Sequence, residues 1–78
     1  MTNSKRLRDL INKRGFKLKF VAKHLGLSAY GLCLKIDNKS EFKTSEVAAL
    51  CELLEIKSLE QREAIFLAIK MTKNQQKL

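Results

Sequence analysis

The sequence predicts a small all-α domain of five short helices, and three observations carry that expectation. At 78 residues the chain has room for one hydrophobic core, since a chain of this size buries roughly 60% of its unfolded surface. It contains no proline, so nothing breaks a helix from inside. Its apolar residues recur at helical spacing almost throughout, with no internal repeat and no low-complexity tract. A composition of 45% hydrophobic and 31% charged residues is too apolar for a disordered chain.

The first helix is expected from about Lys5 to Arg14. Ser4 is its expected N-cap; Leu7, Leu10 and Ile11 share one face, and Gly15 is a good stop. The second runs from about Leu18 to Leu25, with Val21, Ala22 and Leu25 inward, and ends at Gly26. The third follows a Ser28 cap and reaches about Ile36, with Leu32 and Ile36 on one face; Asn38 takes a left-handed backbone at low cost and closes it. The fourth spans about Thr44 to Leu54, where Val47, Leu50, Cys51 and Leu54 follow the i, i+3, i+4, i+7 pattern. The fifth opens with Ser58-Leu-Glu-Gln61, whose Ser and Gln fit a capping box, and continues to about Met71. Residues 1–71 are therefore expected to form the domain and residues 72–78 a frayed polar tail.

Sixteen Lys and Arg against eight Asp and Glu give a net charge of +8. All of the excess lies in residues 1–43, while residues 44–78 are neutral. A footprint for a polyanion should be local in this way. No apolar run is long enough to span a bilayer, and the N-terminus leads to no apolar core of a signal peptide, so no membrane partner is expected. Cys33 and Cys51 are too few and too far apart for a disulfide scaffold or a zinc site; they read as reduced, mostly buried thiols of a cytoplasmic protein.

The informative stretch is Leu18–Asn38, two short helices joined by Gly26-Leu27-Ser28. A tight turn containing Gly between short helices is a helix-turn-helix signature, which helical hairpins without DNA function share in part. Ala22 is small where the helices must approach, and Leu27 and Leu32 fill the angle between them. Leu18–Ser45 resembles the helix-turn-helix of phage Cro and repressor proteins, the lambda-repressor-like or Xre group. The carriers are Val21-Ala22, Leu25-Gly26-Leu27-Ser28, Leu32, Lys35-Ile36 and Lys39-Ser40-Glu41-Phe42 leading to Glu46-Val47. The resemblance extends over roughly residues 5–70. It implies a compact five-helix lambda-repressor-like domain, operator binding to double-stranded DNA by a homodimer, control of transcription as a repressor, no cofactor and no catalysis. RNA polymerase is a further partner it allows. Three positions depart from the family: Asn38 and Glu55 stand where Gly is usual, and Leu18 stands where a phosphate-anchoring Gln is common.

Carried over from the family, the base-contacting positions are Ser28, Ala29, Tyr30, Cys33 and Leu34. The family usually places Arg, Gln, Ser or Thr there. Ala, Tyr, Cys and Leu make no bidentate hydrogen bond to guanine or adenine. Ala29 and Leu34 suit contact with a thymine methyl, with Tyr30 and Ser28 supplying hydrogen bonds; alternatively this face is a protein contact, or Ala29 and Cys33 simply pack beside Leu32 and Ile36. That alternative keeps open a protein-interaction module on the same fold, an antirepressor or polymerase-binding protein. The expected phosphate contacts are Lys17 and Lys19 at the start of the second helix, Lys35 at the end of the third, and Lys39 and Lys43 in the loop beyond it.

His24 has no second ligand at metal spacing, and no nucleophile, base and orienter assemble, so neither a metal site nor an enzyme is expected. Single-strand recognition would use surface aromatics on a sheet, and membrane-surface binding a broad apolar helix face; neither pattern is present. The run Ile65-Phe66-Leu67-Ala68-Ile69 covers more than one helix face. Ile65, Ala68 and Ile69 suit the core, and Phe66 and Leu67 are expected to point outward as a homodimer contact.

Overall fold

A computed structural model describes residues 1–66. Its elements are α1 (Ser4–Lys13), α2 (Leu18–Leu25), α3 (Ala29–Ile36), α4 (Thr44–Leu53) and α5 (Leu59–Ile65). The domain is all-α: α2 lies against α3 and α4, and α1 against α3 and α5. The side chains buried between them include Leu7, Ile11, Val21, Leu32, Ile36, Val47, Leu50 and Ile65, which are the inward positions of the helical repeat. Ala22 is fully buried on α2, where a larger side chain would hold neighbouring helices apart.

Four of the five helices close in the same way. Gly15, Gly26, Asn38 and Glu55 take positive φ values of 78°, 75°, 65° and 57°. In each case the next N–H reaches back five residues: Phe16 to Ile11 O, Leu27 to Ala22 O, Lys39 to Leu34 O and Ile56 to Cys51 O, at 2.8–3.2 Å. This is the Schellman closure, which satisfies carbonyls that a helix end leaves without partners. Asn38 does more than tolerate the backbone. Its side-chain amide accepts from the Thr2 N–H and donates to the Thr2 carbonyl, both at 2.8 Å. A glycine would permit the turn but not hold the N-terminal segment.

The cap of α1 is a correction. Asn3, not Ser4, is the N-cap: its Oδ1 accepts from the Arg6 N–H at 3.1 Å. Ser4 is the first helical residue, and its hydroxyl donates to the Ile36 carbonyl at the end of α3. Both side chains are good caps; the long-range acceptor on α3 draws the hydroxyl away. Ser58 caps α5 as expected, accepting from the Gln61 N–H at 2.9 Å.

The end of α5 is a second correction. The helix stops at Ile65, and Phe66 leaves the helical backbone and bridges antiparallel to Thr2, with the Asn3 N–H donating to Ile65 O at 2.8 Å. Once the helix ends, its periodicity no longer sets where Phe66 points. Phe66 is 2% exposed and meets Phe42 edge-on, ring centroids 5.8 Å apart. It belongs to the core and is no outward dimer contact. The other half of that expected contact, Leu67, and the expected continuation to Met71 lie outside the described residues. Cys33 and Cys51 are free and half-buried rather than fully interior.

Candidate nucleic-acid interface

The corner between α2 and α3 presents the site. Gly26 ends α2 in the left-handed conformation, Leu27 drops partly into the core, and Ser28 turns the chain extended before α3 begins. Ser28 Oγ accepts from the Gly31 N–H at 2.9 Å, which fixes the first turn. A hydroxyl that accepts one bond still carries a proton to donate. Ser28, Ala29 and Tyr30 are all exposed, and Tyr30 keeps 75% of its surface in solvent. The start of α3 is therefore open, while Leu32 and Ile36 anchor its other face.

The remaining two expected base contacts are placed differently. Cys33 and Leu34 are half-buried. Beside Cys33 lies Arg8 of α1, whose guanidinium donates twice to Asp37 at 3.1 and 3.2 Å. The Asp37 carboxylate and, more weakly, the Cys33 side chain hold the Arg8 pKa above its ordinary value. The second turn of α3 thus borders α1, whereas the first turn borders solvent.

The expected phosphate contacts divide four to one. Lys17, Lys19, Lys39 and Lys43 are exposed, and none forms an ion pair among the described residues. Lys17 and Lys19 flank the start of α2, which has no side-chain cap and no acidic residue in its first turn. Its first N–H groups and the positive end of its dipole are available to an anion.

Lys35 is the exception. Its ammonium lies 3.1 Å from Glu46 Oε1 and donates to the Glu41 carbonyl at 2.9 Å, and its side chain is only 14% exposed. Glu46 also accepts the Lys43 backbone N–H at 2.8 Å, which caps α4. Burial alone would raise the Glu46 pKa; the Lys43 N–H and the Lys35 ammonium outweigh it and hold the carboxyl below its ordinary value. Lys35 is a lock between the end of α3, the loop after it and the start of α4. That lock shapes the loop bearing Lys39 and Lys43. Its sequence signal is the acid three residues after the cap position of α4, which is half of a capping box.

Among the described residues, no three His, Cys, Asp or Glu side chains are placed to hold a metal ion, and no helix is long and apolar enough to cross a membrane. No family model matches the chain, and no curated protein and no solved structure matches it either.

Proposed function

We propose that this chain binds double-stranded DNA as a transcriptional regulator of the repressor type, with the start of α3 in the major groove. One observation carries the reading: four exposed, unpaired lysines lie on the segments before and after a solvent-open helix start. Lys17, Lys19, Lys39 and Lys43 neutralise phosphates and set the register. Ser28 and Tyr30 supply hydrogen bonds to base edges, and Ala29 meets a thymine methyl. A homodimer on a two-fold operator is the form that raises the affinity of so small a module. The reading involves no cofactor or catalytic step and sets the protein in the bacterial cytoplasm, in keeping with two free thiols. An unbiased selection of duplexes, read by sequencing, tests it: an enriched half-site and its spacing are expected. Failure to retain any duplex at about 50 mM salt, where phosphate contacts are strong, rejects it.

A second reading is a protein-interaction module on the same scaffold, with an antirepressor or polymerase-binding role. It is favoured by the chemistry of the open helix start, where Ala29 and Tyr30 offer no bidentate hydrogen bonds. The two readings part at Tyr30→Ala. In the DNA reading the substitution relaxes base preference and leaves the salt dependence intact; in the other, duplex affinity is weak in the parent protein already.

A further inference from the structure

The outer face of α2 carries a feature that the DNA reading does not use. The inner face of this helix is Leu18, Val21, Ala22 and Leu25. Phe20 points the other way and is 50% exposed. It is not a stray apolar residue. Its ring packs on Phe16 with centroids 5.2 Å apart and planes tilted by 36°. Gly15, at φ 78°, turns the chain at the end of α1 and brings Phe16 alongside. The two rings wall an open recess lined by Gly15, Phe16, Lys17, Lys19, Phe20 and Lys23. Its surface is largely hydrocarbon, three lysines line it, and no acidic side chain does. None of the three lysines has an ion-pair partner among the described residues.

We propose that this recess captures an acidic peptide segment, which inserts one large apolar side chain beside Phe16 and Phe20 while its flanking carboxylates meet Lys17, Lys19 and Lys23. Charge selects this occupant. Residues 67–78 carry Lys70, Lys73 and Lys77 and no acidic side chain, so they do not supply the carboxylates that three lysines call for. A second copy brings no acidic excess to these three lysines, since residues 1–43 carry the whole +8 and residues 44–78 are neutral. One exposed aromatic is far short of the broad apolar face that a lipid surface requires. An aliphatic or aromatic side chain between carboxylates satisfies both halves of the site, the apolar wall and the cationic rim.

The recess shares Lys17 and Lys19 with the proposed phosphate set, so peptide and duplex would compete there, whereas Phe16, Phe20 and Lys23 belong to the recess alone. The test is fluorescence anisotropy on the full chain. The probe is a synthetic Glu/Asp peptide with one central Phe; its control has Ser in place of the Phe. The Phe peptide should bind about tenfold or more tighter than the Ser control, the ratio that burying a large apolar side chain gives. Phe20→Ser should abolish that ratio, and Lys23→Glu should weaken both peptides. Phe20→Ser should keep the parent's thermal melt and its duplex affinity, so a failure of the recess and a failure of DNA binding are read separately. Equal binding of the two peptides, or a Phe20→Ser protein that still discriminates them, overturns the proposal. So does binding of oligo(dT), or of phosphatidylglycerol–phosphatidylcholine vesicles, that is lost on Phe20→Ser while the peptides bind alike.

Discussion

Lys35→Met is the most informative single substitution, because it separates a lysine that builds the fold from the lysines proposed to face DNA. Methionine keeps the apolar stem and removes the ammonium. Glu46 is 8% exposed and accepts from both Lys35 and the Lys43 N–H. Without Lys35 its carboxylate stays buried with one partner, and the Glu41 carbonyl loses a donor. Removing one member of a buried pair costs about 3–5 kcal/mol. The residual exposure of this pair brings the expected loss to about 2–3 kcal/mol. For a domain of this size that lowers the melting temperature by roughly 10–20 °C. The double variant Lys35→Met/Glu46→Leu removes both charges and should recover most of the loss, to within about 1 kcal/mol of the parent. Urea denaturation of the parent, both single variants and the double variant measures the coupling. A loss below about 0.5 kcal/mol for Lys35→Met, the size of an exposed pair, would refute the reasoning and return Lys35 to the ligand-facing set.

Further outcomes follow from the same geometry. On the proposed DNA reading, four phosphate contacts per protomer give a slope of log K against log salt of about −3.6, a loss of about 150-fold between 50 and 200 mM. Lys39→Gln or Lys43→Gln should each reduce that slope by about 0.9, whereas Lys35→Met should not change it; a uniform effect of all three would contradict the division of the lysines. Glu55 holds a left-handed backbone at φ 57°, and its contact with Arg14, at 3.7 Å, is exposed and contributes little. Glu55→Gly relieves the strain at a smaller entropic cost, so it should stabilise by about 0.5–1 kcal/mol; a lower denaturation midpoint would count against the strain argument. Glu46 has a lowered folded pKa, so its stabilisation is complete above the unfolded carboxylate value of about 4.3 and is lost as pH falls through the folded one. Glu46→Gln should flatten that acid limb of a stability-against-pH curve, and an unchanged limb would point to other carboxylates.

Local signals in the sequence were enough to find α2 to their observed bounds, Leu18–Leu25, because cap, repeat and stop all lie within a few residues of one another. The stops at Gly15, Gly26 and Asn38 were legible for the same reason. What depended on distant partners was not. Ser4 looks like a cap until the Ile36 carbonyl, thirty-two residues away, takes its hydroxyl. Phe66 looks like an outward helix residue until the pairing of Thr2 with Phe66 shows the helix ended. Lys35 resembles every other lysine in the basic half until the fold brings Glu46 to it. The open start of α3 was readable from Ser28 and the turn before it. The half-buried setting of Cys33 was not, because it depends on Arg8 and on α1 as a neighbour.

The central claim is that duplex DNA docks on the start of α3 and its flanking lysines. Titrating the isotope-labelled protein with a duplex at about 50 mM salt and following backbone amide resonances tests it directly. The account predicts shifts clustered at Lys17, Lys19, Ser28, Ala29, Tyr30, Lys39 and Lys43. Resonances that stay still at all of these positions, or that move only on α5, would contradict it.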